Sequence, residues 1–433
     1  MKTAIVWLRN DLRFQDQESF YKACNDFDRV VAYYTFEPKE FLNTQWGFQK
    51  SGAYRINFIL ETLAALKIEL LQKNITLIVE NKTASERIPY WVNTINASAV
   101  FYQKEWTSEE KFVTDSLIAS LPKKVILDSH YDQFLFHPED LPMTIDSIPE
   151  VFTVFRKQCE KFTLVRSCIS SPKLLSKDSL LAKTYPLLSL KSLGFNSFET
   201  PINTVFPFSG GTNSAIDRLD DYFWKSKRLS FYKKTRNGML GSNYSSKFSP
   251  WLANGSLSAK TIYWSIKKYE KEVHENESTY WLIFELIWRD YFKYISLKHG
   301  TKIFKLGGIL SQKYTWKTNH EIYKKWIEGK TSEPFVNANM IELKKTGFMS
   351  NRGRQNVASY FTKNMLMDWR MGAAYFEQQL IDYDVHSNWG NWMYVAGVGN
   401  DPRDRKFNIQ FQASRYDAKG TYQKKWLQNT LFK

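Results

Sequence analysis

The runs RVVAYYTF (29–36) and ITLIVE (75–80) enclose the stretch AYRINFILETLAALKIELLQ (53–72), and their order decides the fold of the N-terminal third. β-Branched and aromatic residues dominate the two short runs. In the long stretch, apolar residues recur three and four apart, the spacing of one helix face. Outward from this unit, TAIVWL (3–8), AVFYQ (99–103) and KVILD (124–128) read as further strands. Strand–helix alternation of this kind predicts an α/β domain over residues 1–130 with a doubly wound parallel sheet. No GxGxxG follows the first strand, so the dinucleotide fingerprint is absent.

Residues 131–215 carry many Pro, Ser and Asp with little periodicity, and are expected to form an irregular connector on the surface. From SAIDRLDDYFW (214–224) the pattern is helical to the end, which predicts an all-α domain over 216–433 able to enclose a large cofactor. A chain of 433 residues suits such a division. Three cysteines (Cys24, Cys159 and Cys168) without CxxC spacing, and no apolar run of membrane-spanning length, point to a cytoplasmic protein. It is expected to be a monomer.

The net charge of +16 is unevenly spread. Residues 1–130 hold 16 Lys/Arg against 16 Asp/Glu, whereas residues 201–433 hold 36 against 20. Eleven of the fifteen tryptophans also lie beyond residue 220. Basic charge interleaved with aromatic rings suits a partner with phosphates and stackable bases, that is, nucleic acid. A lysine-rich surface over a tryptophan-rich core would give the same composition.

DYDVHSNWGNWMYVAGVGND (382–401) brings Asp382, Asp384, Asn388, Trp389 and Trp392 together with only His386 as a metal-ligand type, so no metal site is expected. Asp382 could form a structural ion pair with Arg354. The hydroxyls Ser245, Ser246 and Ser249 beside Lys247 and Phe248 suit a diphosphate, but equally a capped turn. Each tryptophan alone reads as packing.

WLRNDLR (7–13), FSPWLANGSLS (248–258), ELIWRDYF (285–292), NRGRQNVASYF (351–361) and DWRMGAAYFEQQLIDYDVHSNWGNWMYVAGVGNDPR (368–403) resemble the photolyase/cryptochrome flavoproteins, specifically the cryptochrome-DASH branch. The resemblance implies an α/β antenna domain and a helical domain holding folded-up FAD. It further implies blue-light repair of cyclobutane pyrimidine dimers in single-stranded or looped DNA, by electron transfer from reduced FAD. The competing expectation is a photoreceptor that binds nucleic acid, RNA included, or a protein partner.

By the same resemblance, Tyr232, Ser245, Ser246, Lys247, Phe248, Ser249, Arg289, Arg354, Asp382, Asp384 and Asn388 would hold FAD, with Asn388 facing the flavin N5. Trp392, Trp369 and Trp316 would form an electron-hopping row. Glu285, Trp288, Asn351, Gln355 and Tyr394 would receive the dimer, the last two favouring single strands. Arg236, Arg352, Arg403, Arg405 and Lys406 would contact phosphates. Glu109 and Glu110 would hold methenyltetrahydrofolate as antenna. Asn337 departs from the family's Asp, which implies a lost salt bridge.

Overall fold

A computed structural model describes residues 1–177, 185–401 and 403–428. The five expected strands are β1 (Thr3–Leu8), β2 (Arg29–Thr35), β3 (Thr76–Glu80), β4 (Ala97–Gln103) and β5 (Ile126–His130). All pairings are parallel, in the order β3-β2-β1-β4-β5. Every residue of the central β1 is buried, as expected of a strand covered by helices on both faces. The helix expected over 53–72 spans Ala53–Gln72; its Ile56, Leu63, Leu66 and Leu70 pack with Val30, Ala32 and Leu77 on one face of the sheet. Ile88, Trp91 and Leu117 cover the other face. β5 starts two residues later than its sequence pattern suggests. Val125 closes a turn on Pro122, and as an edge strand β5 is only partly buried, so its alternation is weak.

The connector holds more order than its composition predicts. Phe152–Phe162 is a helix that buries Phe152, Phe155 and Cys159 against the helical half. Its apolar face is too narrow, among Lys, Arg and Gln, to stand out in the sequence. Residues 178–184 of the connector and 429–433 of the tail lie outside the described residues.

The C-terminal half is helical from Thr212–Asp220 to Thr421–Leu427. Glu277–His299 is its longest helix, started by a capping box on Asn276 and buried along most of its length. Asn337 makes no ion pair. Its amide closes a loop instead, accepting from Thr331 N and Oγ1 at 2.8 and 2.7 Å and donating to Thr331 O.

The halves meet through two of the motifs that carry the resemblance. Leu12 N donates to Asn254 O at 3.0 Å, and Arg13 Nη1 to Gly255 O at 2.9 Å. Gly255 has φ +74°, and a Cβ there would sit 2.0 Å from Asn10 O, so only glycine permits this approach. Asp16 accepts from Lys260 Nζ at 2.7 Å across the same seam. No helix among the described residues is long and apolar enough to cross a membrane.

Candidate functional site

A cavity of about 550 Å³ opens in the helical half. Its wall combines three segments: the loop 244–249, the helix Glu277–His299 and the end of Val385–Ala396. It brings together Tyr232, Ser245, Ser246, Lys247, Phe248, Ser249, Arg289, Arg354, Asp382 and Asp384. Asn388 lines an adjoining recess of about 80 Å³ that shares Arg354, Gln355, Asp382 and Asp384 with the main cavity.

The loop is organised from behind by Arg218. Its buried guanidinium donates to the carbonyls of Ser242, Ser245 and Ser246 at 3.1–3.3 Å. With those carbonyls drawn backward, the loop is held in one conformation against the cavity. Lys247 adopts φ +66°, a left-handed conformation costing about 1–2 kcal/mol for a residue with a side chain. Strain of this kind persists where the surroundings over-determine the backbone. Three buried donors in the cavity wall find no protein partner: Lys247 Nζ, Tyr244 Oη and Arg352 Nε. Unmet donors facing one cavity fit an anionic ligand with several acceptors, as a diphosphate is.

Deeper in, the two carboxylates are matched with cations. Asp382 accepts both of its bonds from Arg354 Nη2, at 2.8 and 2.9 Å. Asp384 caps the helix Val385–Ala396 by accepting from Ser387 N, and pairs with Lys293 Nζ at 2.8 Å. Burial would raise the Asp384 pKa, but Lys293, His386 and Arg289 overcome it and hold the group far below the ordinary carboxylate range. Burial dominates at Lys293 and lowers its amine. The two directions describe one pair whose attraction is largely offset by desolvation. Asn388 Nδ2 donates to Ala373 O at 3.0 Å, which leaves its oxygen for the recess.

At the mouth, Glu285, Trp288, Asn351, Gln355 and Tyr394 line the same cavity. Trp288 stacks on Phe152 with centroids 3.7 Å apart and meets Tyr394 edge-on. Burial raises the Glu285 pKa, opposed by Arg236, whose Nη2 lies 2.9 Å away. Arg236 is thus engaged by a carboxylate rather than free at the surface. Arg352 lies over the Tyr416 ring and donates to Asn237. Arg405 lines the cavity in a pair with Asp401 at 3.1 Å. Arg403 and Lys406 are exposed and lie outside the lining.

The tryptophans run away from the recess. Trp392 lines it and packs on Gly372, where a Cβ would lie 2.2 Å from the indole. Gly372 belongs to the helix Trp369–Gln379, one turn beyond Trp369. Trp316 precedes Lys317, which bridges to Met367 beside the start of that helix. Two further indoles adjoin the row: Trp326 lies 6.1 Å from Trp392, and Trp389 5.7 Å from Trp369.

Glu109 and Glu110 lie elsewhere, in a second cavity of about 740 Å³ at the border of the two halves. Arg9, Glu40, Trp46, Arg55, Glu105 and Lys293 are among its other lining residues, and Asp384 and Arg289 belong to both cavities. Glu109 is exposed and bonded to Lys50, whereas Glu110 Oε2 is buried without a partner. His386 faces this cavity; it stacks on Trp106 and its Nδ1 shares a 2.7 Å hydrogen bond with Ser296 Oγ.

Sequence reasoning missed Arg218, Lys293, Tyr244 and Trp326. Lys293 carried a legible signal: Glu285, Arg289, Lys293 and Ser296, three or four apart, draw a polar stripe down an otherwise apolar helix. Arg218 carried none, because its partners are carbonyls.

A parallel α/β domain docked on a helical domain, with an anion-binding cavity backed by paired acids and a tryptophan row, defines a photolyase-type FAD flavoprotein. Family models agree: DNA photolyase matches residues 4–173, and the FAD binding domain of DNA photolyase matches residues 281–430. The chain is 48% identical to the cryptochrome DASH of Gloeobacter violaceus, covering 98% of this chain and 85% of that one. It is 42% identical to that of Danio rerio, with coverage of 98% and 83%. The solved Synechocystis cryptochrome superposes with a TM-score of 0.94 at 43% identity, over 99% of this chain and 89% of that one. A class III photolyase of Agrobacterium tumefaciens, 23% identical with a TM-score of 0.81, shares the fold. The chain belongs to the cryptochrome-DASH branch of the photolyase/cryptochrome flavoproteins.

Proposed function

We propose that this flavoprotein is a light-driven lyase acting on cyclobutane pyrimidine dimers in single-stranded or looped DNA. The observation that carries the reading is the continuity of one cavity. The dimer-binding candidates Glu285, Trp288, Asn351, Gln355 and Tyr394 open directly onto the phosphate loop and the paired acids. When bound, reduced FAD supplies a light-excited electron to the dimer and receives it back after the ring has opened. The chain's residues position the participants. Ser245, Ser246, Ser249 and Lys247 take the diphosphate, Arg354 and Asp382 flank the flavin, and Asn388 offers N5 a neutral amide that donates no proton. Glu285 and Asn351 meet the pyrimidine edges, while Trp288, held flat by Phe152, gives an apolar face. Trp392, Trp369 and Trp316 carry replacement electrons from the surface. The second cavity takes methenyltetrahydrofolate, with Glu110 as its buried carboxylate.

Single-strand preference follows from energy balance. Flipping a dimer from a duplex costs a few kcal/mol. The polar Gln355 and the edge-on Tyr394 offer little stacking to offset that cost. Arg352 and Arg405 at the mouth, with Arg403 and Lys406 beyond it, supply the phosphate contacts. Three free cysteines, two of them buried, suit a reducing cytoplasm.

The test is timed blue-light repair by fully reduced protein of one dimer placed in a single strand, a bulge and a matched duplex. Rates should fall in that order. Equal rates on strand and duplex would remove the role given to Gln355 and Tyr394. Repair in none of the three would assign the protein to light signalling.

A further inference from the structure

Lys247 is an anomaly in the wall of the FAD cavity. Its Nζ is buried and has no hydrogen-bond partner among the described residues. It lies over the Tyr244 ring, 3.2 Å from the centroid, and 4.8 Å from that of Phe348. The charged groups that face it are all engaged. Arg218 is tied to the loop carbonyls, and Arg354 and Asp382 neutralise each other. Glu342, on the helix Pro334–Thr346, accepts from Tyr422 Oη at 2.6 Å. Aromatic faces attract a cation, but they do not replace the hydrogen bonds that an ammonium leaves behind in water. No group of the protein itself is therefore placed to hold a charge on this nitrogen.

We propose that Lys247 is uncharged in the apoprotein and takes up a proton from solvent as the FAD diphosphate enters, so that FAD binding and proton uptake are linked. The inference rests on FAD being seated against the 244–249 loop. The doubly charged diphosphate supplies the counterion and the acceptors that the wall lacks. Burial points the same way: it pushes the Lys247 amine well below its ordinary range, and raises Glu342 to about 7. Above neutral pH Glu342 is ionised, and the proton gained on binding comes from solvent rather than from Glu342.

The sign follows from linkage. The complex holds one proton more than its separated parts, so affinity is lost as pH rises, by up to about tenfold per pH unit for one linked proton. In an amine-free or permanently charged variant that slope disappears. Arginine stays charged throughout the range and keeps five donors.

The experiment dilutes the holoprotein and follows released FAD by its fluorescence at several pH values between roughly 7.5 and 9. The wild-type dissociation constant should climb with pH towards the tenfold-per-unit limit. Lys247→Arg should bind FAD with a flat profile, and Lys247→Met should bind more weakly, also with a flat profile. A flat wild-type profile, or a slope that survives in Lys247→Arg, would overturn the proton linkage and leave the seating of FAD intact. Unchanged dissociation constants in both variants at every pH would instead remove the diphosphate from this loop.

Discussion

The two large cavities share a wall at Asp384 and Arg289, yet they handle charge in opposite ways. In the FAD cavity the deep carboxylates are already matched: Asp382 by Arg354, Asp384 by Lys293. What remains unmet there is a set of donors, which suits an anion. In the border cavity the unmet groups include acids. Burial raises Glu40 to about 7 against the pull of Arg55 and Lys50, raises Glu105, and leaves Glu110 Oε2 alone. The first cavity is lined mainly by one helical half, whereas the second draws on strand ends and loops from both. Ligand sign is therefore set by which partner the fold has supplied beforehand, not by how many charges line the wall.

The sharpest way to test this division is the tryptophan row, which leaves from the recess but passes an indole of the second cavity. Trp392→Phe should keep FAD bound, because the rings are similar in bulk. It should abolish photoreduction of oxidised flavin by an external reductant, followed by absorbance under blue light. Trp389→Phe, in the border-cavity wall, should leave photoreduction largely intact. Normal photoreduction in Trp392→Phe would reduce that residue to packing.

A smaller effect is expected at the shared wall. Asp384→Ala strands the buried Lys293 ammonium, and should cost about 3–5 kcal/mol in chemical denaturation. Adding Lys293→Met should restore most of that loss. Failure of the second change to help would show that Asp384 acts through its helix cap on Ser387 instead.

The smallest effect discriminates within the border cavity. Glu110→Gln should weaken folate by about 1.5–3 kcal/mol, the worth of one hydrogen bond to a charged group. Glu109→Gln should do less, because that carboxylate is 69% exposed and already bonded to Lys50. Titration of the near-ultraviolet band reads both, with FAD content unchanged. A larger loss in Glu109→Gln would exchange the two roles.

Much of this was legible beforehand for a physical reason. Helix 53–72 and β1 to β4 announce themselves because burial imposes a period on neighbouring residues, and the phosphate loop and paired acids lie in contiguous motifs. β5 was displaced because an edge strand is only partly buried. The helix at 152–162 was missed because its narrow apolar face is completed by distant residues. Arg236 was expected to contact phosphate but faces Glu285, since no local pattern reports which cation folds against which acid.

Sequence by itself determined the class of fold, the phosphate loop, the pairing of Asp382 with Arg354 and the residues at the cavity mouth, because each is written in local period or motif. Only the tertiary structure decided that Arg218 holds the loop from behind, that Lys293 balances Asp384, and that Lys247 is left without a partner. Those facts depend on what long-range packing brings within about 3 Å of a buried polar atom, and on what it keeps away.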